Sequence, residues 1–125
     1  MDRTIERAHC RLEAWKAAIN VVKLVYKLTK QFPDEERYGL VSQMRRCAVS
    51  IPSNIAEGAG RGSTREFIRF LCIARGSICE LETQFFLSKE LGYLSSLKEA
   101  SSSSNRVFQL VCGLIRSLEK NVDKC

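Results

Sequence analysis

The chain has 125 residues, 45% of them apolar and 27% charged, the composition of a single folded domain spanning residues 1–125 and not of a disordered segment. Two prolines and seven glycines are too few for the turns of an all-β domain, and no apolar run reaches the roughly 18 residues of a membrane span. Twenty Lys and Arg against fourteen Asp and Glu leave a formal charge of +6, which bears on partners and not on fold.

The first periodic stretch predicts a helix over about 12–31. Leu12, Trp15, Ile19, Val22 and Tyr26 recur at three- and four-residue steps, and a parallel row of Ala18, Val21, Val25, Leu28 and Phe32 widens the stripe. Phe32-Pro33 ends it, because the residue before proline is pushed out of the helical region. Asp34, Glu35 and Glu36 then place negative charge where the next helix begins.

Helix two is expected over about 35–57, with Leu40, Met44, Cys47, Ala48, Ile51 and Ile55 on one face. Pro52 deletes the hydrogen bond to the Ala48 carbonyl, but the apolar period continues past it, so a kink is expected in place of a stop. Ser50, Ser53 and Asn54 are placed to satisfy the backbone groups freed there. Gly58, Gly60 and Gly62 are expected to close the helix and form the turn.

Helix three is expected over about 63–91. Ser63 with Glu66 reads as a capping box, and Gly92 as a left-handed cap at the far end. Its core face holds Phe67, Phe70, Leu71, Ala74, Ile78, Leu81 and Phe85. A second row, Ile68, Cys72, Cys79 and Phe86, lies about 120° around the helix. Either helix three touches two neighbours of its own bundle, or this row packs against another subunit.

Helix four is expected over about 95–119, with Leu97, Ala100, Ser104, Val107, Val111, Leu114 and Leu118 in phase. Ser101 to Ser104 is a weak helical segment, and the tail after Asn121 is expected to fray. Four amphipathic helices with short connections imply an all-α antiparallel up-down four-helix bundle, helix two kinked at Pro52.

The opening MDRTIERAHC lacks the apolar core of a signal peptide, so a cytoplasmic protein with no membrane partner is expected. Six cysteines, at 10, 47, 72, 79, 112 and 125, form no CxxC pair and have no histidine near enough to complete a zinc site. They read as reduced thiols, with Cys47 and Cys112 on apolar stripes.

No catalytic residue, metal or cofactor is expected. The single histidine, His9, precedes the first helix, whereas a nucleophile–histidine device needs a histidine held by a framework. Glu80 and Glu82, two residues apart, leave a helix in different directions. Gly58 to Ser63 lacks the Gly-Lys-Ser/Thr of a phosphate loop and the strand of a dinucleotide site.

Charge distribution is the informative feature. Between Arg37 and Arg75 lie seven arginines, no lysine and only two acids, Glu57 and Glu66. Arginine makes planar, bidentate contacts to phosphate or carboxylate. Arg45, Arg46, Arg61, Arg65, Arg69 and Arg75 are therefore candidates for contact with a nucleic-acid backbone. Salt bridges within the bundle or between subunits are the competing use for the same side chains.

Residues 45 to 84, RRCAVSIPSNIAEGAGRGSTREFIRFLCIARGSICELETQ, resemble the four-helix-bundle family of 23S rRNA intervening-sequence proteins. SIPSNIAEG is the most specific part, and FPDEERYGLVSQMRR, EFIRFL, ELETQ, Trp15-Lys16 and LGYL extend the match over nearly the whole chain. The motif residues fall at Pro52, Asn54, Glu57, Gly58, Arg61, Glu66, Phe67, Arg69 and Gly76. The resemblance implies a bundle that assembles as a ring-like homopentamer, with no established enzymatic activity. Some members are encoded in insertions within bacterial 23S rRNA genes. The chain is also distantly similar to the accessory protein of diversity-generating retroelements, which partners a reverse transcriptase and binds nucleic acid, so RNA, DNA and such an enzyme are the partners it implies. The serine-rich start of helix four and the number of cysteines depart from the family pattern.

Overall fold

The computed structural model describes residues 7–122, and among them there are four α-helices and no strand. We label them α1 (Glu13–Thr29), α2 (Leu40–Ala59), α3 (Thr64–Glu90) and α4 (Lys98–Val122); short 3-10 turns occupy Ala8–Arg11 and Asp34–Glu36. Helix α1 packs on α2 and α4, and α3 packs on α2 and α4, which leaves α1 diagonal to α3. Cys125 and the last residues of the tail lie outside the described residues.

The core of α1 is not centred where its largest side chains pointed. Ala14, Ala17, Ala18, Val21 and Val25 are buried, whereas Leu12, Trp15, Ile19 and Val22 are half-buried and Tyr26 is exposed. Alanines let neighbouring helices approach, and the larger side chains then cover the seams.

Helix α2 starts at Leu40, later than the expected 35. Gly39 (φ −110°, ψ −110°) leaves helical geometry there, and the Glu36 carboxylate accepts the Leu40 N–H at 3.1 Å. Of the acids before α2, Glu36 thus acts as its cap. The helix runs through Pro52, which is buried. Ser50 Oγ donates to the Cys47 carbonyl at 2.6 Å and Asn54 Nδ2 to the Ser50 carbonyl at 2.7 Å, while Ser53 is exposed.

Gly58 corrects a sequence expectation. It is a buried residue of α2, not part of the turn, and a Cβ built on it meets Phe70 Cβ at 2.7 Å and Phe67 Cδ1 at 3.1 Å. Only glycine allows α2 and α3 to approach so closely here. Helix α3 opens on Ser63, whose hydroxyl accepts the Glu66 N–H at 3.3 Å. It closes with Gly92 at φ +83°, the Tyr93 N–H reaching the Ser88 carbonyl and the Gly92 N–H the Lys89 carbonyl, a Schellman arrangement.

Ser101 to Ser104 is helical within α4. Ser104 is buried and donates to Glu82 Oε2 at 3.0 Å, so one serine of the weak segment is tied to α3. Ile115, not among the expected core residues, is buried, and Leu114 and Leu118 are half-buried.

Candidate nucleic-acid interface

The turn between α2 and α3 gathers three of the six candidate arginines. Arg61 leaves the end of α2 and pairs back to Glu57 at 2.7 Å, one helical turn earlier. Arg69 forms two hydrogen bonds to Glu66, at 2.9 and 3.2 Å. Both guanidinium groups cover the Phe70 ring, at 4.9 Å and 4.6 Å from its centroid. The Arg69 hydrogen bond holds the Glu66 carboxyl below its ordinary range and raises the Arg69 guanidinium in turn. Arg65 stands one turn before Arg69 on the same exposed face, without a carboxylate partner among the described residues.

The other three point elsewhere. Arg45 donates from Nε to Thr29 Oγ1 at 3.0 Å and stacks 4.4 Å from the Tyr26 centroid, so it seals the α1–α2 seam. Arg46 is exposed and unpaired among the described residues, about three turns before Gly58 along α2 and thus away from the Phe70 cluster. Arg75 is half-buried and donates to Cys72 Sγ at 3.7 Å. Arg61 and Arg69 are thus occupied by carboxylates of the same chain, and Arg46 and Arg65 remain free.

The motif residues of α2 join it to α3. Ser50 shares a hydrogen bond with Ser77 at 2.9 Å, and the Cys47 thiol donates to the Ser77 carbonyl at 3.1 Å. Burial first, then the Glu80 charge, pushes the Cys47 thiol up to about 12, so it carries no thiolate chemistry at neutral pH. Gly76 is exposed, and a Cβ there would meet nothing within 4 Å.

The expected interface row of α3 divides. Ile68 and Cys72 are half-buried and pack on the core, while Cys79 and Phe86 are exposed, Phe86 at 55%. Leu87 and Leu91 add to the exposed apolar surface at that end of α3. Cys112, read as a core residue, is half-buried. His9 lies edge-on to Trp15, with centroids 5.4 Å apart. Among the described residues no cluster of His, Cys, Asp or Glu is placed to hold a metal ion, and no helix is long and apolar enough to cross a membrane.

Counting charge by segment misses two features. One is the bond between Glu36 and Tyr93, whose residues are 57 positions apart. The other is the set of cations spread along α1 and α4, which helical periodicity gathers on one outward face of each helix; the three- and four-residue spacing of these lysines is the available signal.

Residues 10–113 match the sequence profile described as 23S rRNA-intervening sequence protein. The fold is shared by a crystal structure of a protein of unknown function from the S23 ribosomal protein family of Bacteroides thetaiotaomicron, with a TM-score of 0.74 and 23% sequence identity over 82% of this chain and 95% of that one. No curated protein matches the chain.

Proposed function

The chain belongs to the 23S rRNA-intervening sequence protein family, and from that premise we propose that it is a non-enzymatic, self-associating helical bundle that binds nucleic acid or a ribonucleoprotein through arginines of α2 and α3. The observation that carries this reading is the cluster around Phe70. Arg61, Arg65 and Arg69 are exposed together at one end of the molecule, and Arg65 has no carboxylate partner among the described residues. Guanidiniums held over a ring, as those of Arg61 and Arg69 are, are ordered before a phosphate arrives, which lowers the entropic cost of contact.

Self-association rests on the exposed Cys79 and Phe86 of α3 and Leu91 just after it, with the homopentamer that the family resemblance implies as the expected assembly. The short links 60–63 and 91–97 join helices that pack side by side, which supports successive helices running in opposite directions, α2 bending at Pro52.

The test is a titration of labelled RNA and DNA between about 50 and 300 mM salt, with light scattering to give the oligomeric state. Arg61→Glu/Arg65→Glu/Arg69→Glu is expected to abolish binding while leaving helicity intact. A wild-type protein that binds neither nucleic acid at the lowest salt leaves only the alternative reading, a structural ring or protein adaptor.

A further inference from the structure

An open groove of about 1020 Å³ runs between α1 and α4 beside the 91–97 link. Its walls carry the amides of Asn20 and Gln31, the hydroxyls of Ser102 and Ser103, and the ammonium groups of Lys27 and Lys98. Beneath these polar groups the groove has an apolar floor, in which Leu24 is buried and Leu28 half-buried.

Both helices extend this basic character. On α1 and its cap, Lys16, Lys23, Lys27 and Lys30 follow one another at the three- and four-residue steps of a single outward face, with Asn20 completing the series. On α4, Lys98, Arg106, Arg116 and Lys120 do the same, with Ser102, Gln109 and Gly113 between them. All eight cations are exposed.

Two carboxylates share the face. Glu99 meets Lys27 at 3.6 Å, and Glu13 meets Lys16 at 3.8 Å and Arg106 at 4.0 Å. These are long, solvent-exposed pairs of the kind that contribute little. Lys23, Lys30, Lys98, Arg116 and Lys120 have no carboxylate partner among the described residues. Glu119 lies about 100° around α4 from Lys120.

We propose that the α1–α4 face is a track for the phosphodiester backbone of a nucleic acid, a second contact surface distinct from the Phe70 cluster. The proposal rests on the reading that the chain binds nucleic acid. The cations of α4 extend over about 33 Å at the helical rise, a length that suits a row of phosphates and not one compact anion. Six of the eight are lysines, which as point charges hold a backbone without reading bases. Because α1 is diagonal to α3, self-association through the outer face of α3 leaves the α1 half of this face open.

The test is fluorescence anisotropy with single-stranded RNA, single-stranded DNA and duplex DNA of equal length, across about 50 to 300 mM salt. Lys23→Ala/Lys30→Ala/Arg116→Ala/Lys120→Ala removes four unpaired, exposed cations, and circular dichroism checks that the helices persist. We expect at least about a tenfold loss of affinity at low salt and a flatter dependence on salt, by about 0.7–0.9 in log–log slope for each phosphate no longer held. The charge-conserving control Lys23→Arg/Lys30→Arg/Arg116→Lys/Lys120→Arg is expected to keep wild-type binding, and its failure to do so overturns the proposal. An alanine variant with unchanged affinity and slope overturns it too. If Arg61→Glu/Arg65→Glu/Arg69→Glu then abolishes binding, the α2–α3 reading stands without this track; if wild type binds no nucleic acid, both fall. Poly-glutamate competing as well as RNA, charge for charge, overturns the phosphodiester assignment.

Discussion

Tyr93 donates its phenolic hydrogen to Glu36 Oε2 at 2.8 Å, which ties the turn before α2 to the link after α3. The other oxygen of the same carboxylate caps α2 at the Leu40 N–H, and the Phe32 ring lies 5.2 Å from the Tyr93 ring. One carboxylate therefore closes one end of the bundle by two separate bonds.

This bond makes stability depend on pH at both extremes. The Tyr93 hydroxyl, then the Leu40 amide, hold the Glu36 carboxyl below its ordinary value of 4.5, while the Glu36 bond raises the Tyr93 phenol above 10.0. A lowered carboxylate stabilises the fold above its unfolded value and loses that contribution as pH falls through the folded one. A raised phenol stabilises below its unfolded value and loses that contribution as pH rises through the folded one. Tyr93→Phe is expected to lower the thermal midpoint at pH 7 and to flatten both limbs, acid below pH 4.5 and alkaline above pH 10.0. Melting curves across that range check it, and a variant with wild-type pH dependence refutes it.

Gly58→Ala brings a methyl group against Phe70 Cβ, which has no flexible end to swing aside. Overpacking of this kind costs about 1–3 kcal/mol, and the gain in helix propensity returns up to about 1 kcal/mol. A net loss of about 1–2 kcal/mol in urea unfolding is expected.

Pro52→Ala restores a backbone donor inside α2 at the cost of a buried ring. The helical gain of about 3 kcal/mol and a packing loss of about 1–3 kcal/mol largely offset each other. Stability within about 2 kcal/mol of wild type is expected, while Ile51→Ala beside it costs about 2–5 kcal/mol. A fall in oligomer size for Pro52→Ala at unchanged stability would locate the role of the proline in assembly.

The cysteines separate by reactivity. Cys47, with its thiol pushed up to about 12, is expected to resist alkylation at pH 8 while the exposed Cys79 reacts, as read by mass spectrometry of short iodoacetamide pulses. Its raised value also favours the fold up to the ordinary thiol range near 9.0, a contribution lost as pH climbs toward 12.

Ser63→Ala removes the hydroxyl that accepts the Glu66 amide and is expected to cost about 1 kcal/mol. A chemical-denaturation midpoint indistinguishable from wild type would show that the cap contributes nothing there.

Period and punctuation made the four helices legible from the residues alone. Alternating three- and four-residue apolar steps, Ser63 before α3 and Gly92 after it are local signals, and local hydrogen bonding obeys them. The arginines were equally visible as a cluster along the chain, because charge can be counted without knowing where a side chain points. What each one touches depends on neighbours far away in sequence. Arg45 against Tyr26 and Thr29, Gly58 against Phe70 and Glu36 against Tyr93 exist only because separate helices pack at one register. The tertiary structure thus decided which guanidiniums were consumed and which stayed free, since partnering is set by distance in space while composition records only what is present.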